Sequence, residues 1–544
     1  MNSMAEIETA RADTPEAPLA QALRLHQEGH TAEACELLGR AARTGERSPE
    51  MLVALGQMQY SLGDYGAAAL SYSRLAEADP GNAAAHLNMG VCLGHLKDWP
   101  TAAEALQRAL AIDPAREEAL LARAICLVHL ERDGEALEAF AQYLAAHPAD
   151  GQARFGRAVA LHQSGQWDEA AKAYRQILED APRSEAVLTN LLSMALTTGD
   201  YPAVRQFAEP LLALDPDSIL ATEALATAAF AAGDHAAAAG HCRSLTGRDP
   251  ARFEHWFNLG VALQRLNDFP QAAQAYTQAI SLKADSCHAH LYLGMVHEQL
   301  GDLAVARSCY ERALQADPQQ PAALWNLGLI LESEGEKSWA EKIYASVPPD
   351  AAEWQEASFR LGYLRLQRGE YAGSAAAFTA CLERRPDWPE ALLNAGIACV
   401  RMGDFATARR WFEQVLRVKP DWPEALRGLA WVALEQQDRE RAYELHVRLI
   451  ELGEHTKEIC YNAAVICQDR GEFEDAIVLY RRALEEDPGF REAIVNLGHA
   501  LMGAGRDEEA RACWRHAAGA EPESPAAMPP LFTADDYSAA APPM

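Results

Sequence analysis

The heptapeptide Pro-Asp-Trp-Pro-Glu-Ala-Leu stands at residues 386–392 and returns unchanged at 420–426, thirty-four residues on. Written in rows of 34 from Pro15, the 544-residue chain gives fifteen rows with no insertion or deletion. They cover 15–524 and leave 14 residues before and 20 after. A fixed period in the range of 20–50 residues marks an array of small structural units and not a set of large domains.

The columns of that layout are selective. Column 20 is Ala in all rows but two, which carry Val204 and Ser374. Column 8 is Gly in eight rows, Ala in six and Leu192 once. Column 24 is aromatic in ten rows, among them Tyr72, Phe140, Tyr174, Tyr276, Tyr310, Phe412 and Trp514. Gly fills column 15 in eleven rows, Asp fills column 16 in eight, and Pro fills column 32 in eleven.

Each preference has a mechanical cause. Apolar residues recur at helical spacing over columns 1–14 and again over 18–31, so each row predicts two helices. Gly in column 15 stops the first helix. Asp in column 16 caps the second and complements its dipole. Pro in column 32 ends the second helix. Small residues in columns 8 and 20 let the two helices cross closely, and the aromatic of column 24 fills a slot in the adjoining helices. One such hairpin cannot bury its own apolar face, but a stack of them can.

Composition narrows the function. The formal charge is −30, with 49% hydrophobic and 8% aromatic residues. That balance predicts folded protein and excludes a phosphate-binding surface, hence nucleic acid as partner. No run reaches eighteen apolar residues, so membrane insertion is not expected. The first residues carry neither a basic nor an apolar leader segment, and the eleven cysteines include no C-x-x-C pair. Both point to a cytoplasmic, reducing address. The Ala-rich composition suggests a bacterial source.

The columns resemble those of the tetratricopeptide repeat (TPR) family. The match is sharpest in row nine, 287–320, with Leu293-Gly294, Gly301-Asp302, Ala306, Tyr310, Ala313 and Pro318. It weakens in row six, 185–218, where Leu192, Val204 and Ala208 stand and Pro210 falls inside the second helix. Row ten ends early at Pro348-Pro349, and row thirteen, 423–456, lacks both Gly and Pro at their stations. Row six is therefore the expected hinge. The resemblance implies an all-α, right-handed superhelical solenoid of about fifteen repeats. Its first helices would line a concave groove. Family members mostly bind peptides or proteins and are not enzymes by themselves.

In the family the groove is lined by columns 2, 5, 6, 9, 12 and 13, with 33 and 34 at the edge. Column 6 is Asn at 88, 190, 258, 326, 394, 462 and 496. This is similar to the asparagine ladder in the repeat portion of O-linked N-acetylglucosamine transferases, which grips a peptide backbone. A carboxamide offers a donor and an acceptor and so pairs with any peptide unit. The other reading is that Asn bonds neighbouring turns. Aromatics collect on the same columns in the second half: Phe257, Trp325, Phe359 and Tyr461 in column 5, Tyr363 and Trp431 in column 9, and Trp388, Trp422 and Phe490 in column 34. They are either anchors for a ligand or packing against the next repeat. Column 2 is Glu at 356, 390, 424, 458 and 492. These carboxylates stabilise helix starts, or form an acidic rail that selects a basic partner. The candidate binding set is Asn258, Asn326, Asn394, Asn462, Asn496, Trp325, Tyr363, Trp388, Trp422, Trp431, Glu390 and Glu424.

Other chemistries find little support. The basic carboxylate clamp of some family members would need more than Arg360 in column 6 and Arg427 in column 5. Cys287, His288, His290 and His297 cluster in row nine but fall on different helix faces, against a shared metal. Cys460 and Cys467 read as packing. No phosphate-binding loop, nucleophile elbow or H-E-x-x-H pair occurs, so neither a cofactor nor a catalytic site is expected. The ends, 1–14 and 525–544, carry no repeat. Leu531, Phe532 and Tyr537 are candidates to fold back over the last helix or to support self-association, and the alternative is a disordered tail. The chain thus reads as a non-enzymatic scaffold or adaptor for a protein or extended peptide. The alternative is the substrate-recognition subunit of a glycosyltransferase system with its catalytic domain on another chain.

Overall fold

The protein is seen in a computed structural model that describes residues 17–44 and 48–519. The segments 1–14 and 525–544, with Leu531, Phe532 and Tyr537, lie outside the described residues. Among those described there are thirty α-helices, two per row, and no strand. None is long and apolar enough to cross a membrane. Contacts divide the chain between Pro250 and Ala251, at the end of row seven.

Row nine shows how a row is built. Its first helix is Cys287–Gln299 and its second is Leu303–Ala316. Ser286 opens the first by accepting a hydrogen bond from the Ala289 amide at 3.3 Å. The helix closes at Gly301, whose φ is +78°. There the Asp302 amide donates back to the His297 carbonyl at 2.9 Å, which satisfies an orphan acceptor of the last turn. Asp302 then accepts from the Val305 amide at 3.3 Å and starts the second helix. All eight column-16 aspartates cap in this way, from Asp64 to Asp438.

The stop at column 15 is a backbone requirement. Its eleven glycines all have positive φ. In the four remaining rows Lys97, Glu131, Asn267 and Gln437 hold φ of 62°, 56°, 59° and 61°. They are the only non-glycine residues in that region among those described. The connection is kept in every row, at a cost of about 1–2 kcal/mol where a side chain is present.

The slot for the column-24 ring is column 8 of the same row. A Cβ on Gly260, Gly294 or Gly396 would lie 2.6 Å from a ring atom of Tyr276, Tyr310 or Phe412. Row six inverts the pair: Leu192 stands where the small residue belongs and Ala208 where the ring belongs, and both are fully buried. The volume is exchanged across the helix pair, so row six keeps a continuous core with Val187, Leu191, Val204, Phe207 and Leu211. Helix Tyr201–Leu214 runs through Pro210. Both Pro210 and Gln206, whose carbonyl loses its partner there, are exposed, so the missing bond falls on the solvent side of the helix. The expected hinge is thus a packed row, and the division of the chain falls later, after row seven.

Row ten does end early. Its second helix, Lys337–Ala345, has nine residues and stops before Pro348-Pro349. In row thirteen, helix Arg439–Glu451 ends at Gly453, φ +92°, and Thr456 caps the next helix at the Ile459 amide. Neighbouring first helices touch one another in several places, as Trp354–Arg368 touches Pro389–Met402 and the latter touches Pro423–Glu435. There columns 2, 5, 6 and 9 of successive rows form a strip.

Candidate functional site

The strip is organised by the tyrosines of column 24. The rings of Tyr72, Tyr276, Tyr310 and Tyr344 lie against the column-8 glycine of their own row, and several column-24 rings reach with their para position to column 6 of the next row. The reach is visible at Gly428, where a Cβ would stand 2.6 Å from Cζ of Phe412. Where the ring is Tyr, its hydroxyl lands between two side chains. It donates to column 12 of its own row: Tyr276 to Gln264 at 2.8 Å, Tyr344 to Glu332 at 2.8 Å, Tyr480 to Gln468 at 3.1 Å, and Tyr310 to Glu298. It accepts from column 6 of the next row: Asn190 Nδ2 to Tyr174 at 3.2 Å and Asn326 Nδ2 to Tyr310 at 3.3 Å. Burial pushes the Tyr174, Tyr310 and Tyr480 hydroxyls far above the usual phenol range, so they remain protonated donors.

Row eleven varies the theme. Column 6 is Arg360, whose Nη1 donates to Glu332 Oε2 at 3.0 Å, while its guanidinium lies 5.7 Å from the centre of the Trp325 ring. Glu332 thereby receives both the Tyr344 hydroxyl and a guanidinium.

These contacts sort the expected asparagines. Asn326 is tied to Tyr310, and Asn496 donates to the Tyr461 hydroxyl at 2.9 Å. Asn258 is exposed. Asn394 is 0% exposed, and neither its Nδ2 nor its Oδ1 has a partner. Asn462 is half-buried with an unpartnered Nδ2. The difference lies one row earlier. Asn326 follows Tyr310, whereas Asn394 follows Phe378 and Asn462 follows His446, neither of which carries a hydroxyl. Elsewhere a phenylalanine in column 24 is followed by glycine in column 6, as in Phe140 with Gly156 and Phe412 with Gly428. Phe378 with Asn394 breaks that complementarity. An asparagine read alone in its column gives no sign of this; the signal is the ring sixteen residues before it.

The expected aromatics divide as well. Trp325, Tyr363, Trp422 and Trp431 are half-buried. Trp388 is only 6% exposed and stacks on Phe359, with ring centres 4.6 Å apart at 20°. It is part of the core between rows eleven and twelve, so its column-34 place does not offer it to a ligand. Trp422 is covered on one face by Lys419, 4.4 Å from its centre.

The rail is partly neutralised. Glu390 pairs with Lys419 at 3.0 Å, and Glu424 lies 3.7 Å from Arg427, which is 3.7 Å from Glu454 too. In row nine, His290 Nε2 bonds to the Ala284 carbonyl at 2.9 Å and His297 faces Asp302 at 3.9 Å. No group of three or more candidate metal ligands occurs among the described residues. Cys460 and Cys467 are fully buried. Burial pushes the Cys126 thiol up to about 11 and the Cys381 thiol up to about 12, which suits packing and not nucleophilic chemistry.

Two family models, both described as tetratricopeptide repeat, match the sequence. One matches at 19–83, 61–117, 95–149, 121–185, 223–286, 257–321 and 291–353. The other matches at 365–432 and 468–528. No curated protein matches the chain. Among solved structures, MamA is 22% identical over 29% of this chain and 91% of its own, with a TM-score of 0.28. YrrB, described as a TPR protein with an unusual peptide-binding site, is 20% identical over 34% and 95%, with a TM-score of 0.31. The APC/C hetero-tetramer Cut9-Hcn1 is 15% identical over 76% and 95%, with a TM-score of 0.29.

Proposed function

The chain belongs to the tetratricopeptide repeat family of protein-interaction scaffolds, and we propose that the first-helix strip of its second unit binds an extended peptide or a protein segment. One observation carries this reading. Tyr363, Trp422 and Trp431 lie half-buried on columns 9 and 34 of a run of touching first helices, and Trp325 lies half-buried on column 5 of the row before it. Partly exposed aromatics on a rigid scaffold, interleaved with amides, are the material of binding hot spots. Of the rail, Glu356, Glu458 and Glu492 sit at helix starts on the same strip and give it a negative edge, which suits a neutral or basic partner. The function asks for no reaction chemistry. The reading as the recognition subunit of a glycosyltransferase uses the same strip and differs only in the chain it would bring to the peptide.

The test is selection of binding peptides from a displayed random library on the full chain. Recovered peptides are then measured on Tyr363→Ala and Trp431→Ala variants. A loss of about tenfold or more places them on the strip. Unchanged affinity in both variants moves the site to another face and sinks the proposal.

A further inference from the structure

Successive rows meet where column 21 of one faces columns 11, 14 and 16 of the next, and the chain usually fills that space with long side chains. Between rows nine and ten, Arg307 donates to Glu334 at 2.6 Å and to Glu336 at 2.8 Å. Between rows ten and eleven, Glu341 accepts from Arg365 at 3.0 Å. Arg409 of row twelve lies 4.0 Å from Asp438 of row thirteen. The Arg470 guanidinium of row fourteen covers the Tyr443 ring of row thirteen, 4.4 Å from its centre. Where column 21 is alanine, as at 69, 103 and 239, columns 11 and 14 are both leucine: Leu93 with Leu96, Leu127 with Leu130, and Leu263 with Leu266. Between row five, 151–184, and row six the same stations hold Ala171, Ala195 and Thr198. None of these is long enough to fill the space.

A cleft of about 170 Å³ opens there, between helix Trp167–Asp180 and the hairpin of Glu185–Thr198 and Tyr201–Leu214. Its floor is apolar and buried, made by Leu191, Met194, Ala195, Ala203 and Phe207. Its rim is polar and exposed, with Asp168, Arg175 and Asp200. Trp167 stands at the edge, 38% exposed, and rests against His162 with ring centres 5.2 Å apart. None of these residues falls in a groove column, so the cleft is separate from the first-helix strip.

Size and charge define what it takes. An apolar cavity of about 150 Å³ holds one benzene ring, so this cleft suits a single ring with a short chain and is too small for a helix or strand. The charge is read from the other rows. There an acid in column 16 meets a cation from column 21 of the row before, as Glu336 meets Arg307 and Asp438 meets Arg409. At Ala171 that cation is missing, while Asp200 remains and Asp168 joins it on the rim. Asp200 spends Oδ1 on the Ala203 amide at 3.2 Å, and a carboxylate has a second oxygen to offer. A primary amine is protonated at neutral pH and suits both the carboxylates and the indole of Trp167. Arg175 follows Asp168 by two helical turns, about 10 Å, and repels a second cation. We infer that the cleft between rows five and six binds a small amphipathic monoamine, with its apolar body on Leu191, Met194 and Phe207 and its ammonium at Asp168 and Asp200. Anions and polyamines are rejected. This site does not depend on the peptide-binding reading of the strip.

The probe is phenethylamine, titrated on the full chain by calorimetry and followed by the fluorine signal of its 4-fluoro derivative. It should bind at least about tenfold more tightly than phenylacetate or spermidine. Asp168→Asn should weaken it roughly 2- to 5-fold, the range of an exposed ion pair. Ala171→Leu fills the cleft with the residue that row four carries at this station, Leu137, and should abolish binding. Ala171→Arg sets the chain's own cation beside Asp200, as in rows nine and twelve. It should abolish binding too, with the melting temperature kept or raised, so that the loss cannot be laid to unfolding. If phenethylamine does not bind the wild-type chain at millimolar concentration, if phenylacetate binds equally well, or if both Ala171 variants still bind, the inference is overturned. Tighter binding of Nα-acetyl-lysinamide than of phenethylamine would assign the cleft to a lysine side chain of a protein partner and overturn the free-amine reading. Peptide selection on the strip is unaffected by any of these results.

Discussion

The Tyr310 ring lies on the backbone of Gly294, so closely that a Cβ there would stand 2.6 Å from Tyr310 Cε1. The same pairing joins Gly328 to Tyr344 and, with slightly more room at 3.0 Å, Gly362 to Phe378. Gly294→Ala should therefore destabilise row nine. Overpacking costs about 1–3 kcal/mol, and the helix propensity of Ala over Gly returns ~1 kcal/mol. The net loss expected is up to ~2 kcal/mol, and Gly362→Ala should cost less. Hydrogen exchange resolved by row checks this, because a repeat array opens locally. Equal protection in wild type and Gly294→Ala would contradict the packing account.

Column 15 offers the opposite change. Lys97 and Gln437 hold φ of 62° and 61° where eleven other rows have glycine. Relief of a left-handed side chain gives back about 1–2 kcal/mol, and the freer unfolded chain of a glycine takes about 0.5–1 kcal/mol. Lys97→Gly and Gln437→Gly should each stabilise the protein by roughly 0.5–1 kcal/mol. A raised denaturation midpoint supports this. A lowered one would show that the side chain makes contacts worth more than the strain.

Much of this architecture is legible in the sequence because it depends on volume and backbone, which repeat. The Gly of column 8, the Asp of column 16 and the Pro of column 32 each act within a few residues or within one hairpin. The inverted pair of Leu192 and Ala208 conserves volume, so a row that looks defective in sequence is packed in space. What a column cannot show is a relation between columns of different rows. Asn326 and Asn394 are the same residue at the same station, and only Tyr310 against Phe378 decides which amide is occupied. Trp388 and Trp422 likewise share column 34, yet Phe359 stacks on the first and makes it core. Side-chain availability is a pairwise property, and it escapes a reading made one column at a time.

That distinction can be measured without a ligand. Asn326→Ala removes the hydrogen bond to Tyr310 and should cost about 0.5–1.5 kcal/mol. Asn394→Ala removes two orphaned buried polar atoms. An unsatisfied buried group costs about 1–3 kcal/mol, and the small cavity left by the deletion offsets part of the gain. The expected effect is neutral to stabilising by ~1 kcal/mol. Denaturant midpoints of the two variants should thus move apart. A large loss in Asn394→Ala would mean that the amide already has a partner, such as a buried water.

His446 takes the column-24 place in row thirteen, where ten other rows have an aromatic ring, and is 3% exposed. Burial holds its pKa below the usual histidine value, opposed by the hydrogen bond of Nδ1 with the Ala442 carbonyl at 2.6 Å. A depressed histidine pKa means that the folded state prefers the neutral ring. Its contribution is complete above the unfolded value, near 6.5, and is lost as the pH falls from there toward the folded pKa. Stability should therefore decline on acidification below about pH 6.5. His162 and His241, also shifted down by burial, contribute in the same direction. His446→Phe removes the titrating group and restores the ring type that shares a buried core with Ala124 in row four, as Phe140 does there. Melting temperatures taken from pH 7.5 to pH 5.5 should fall less steeply in this variant than in the wild type, with the difference appearing in the protection of row thirteen. Parallel curves would mean that His446 charges without cost, through a path to water that its burial does not suggest.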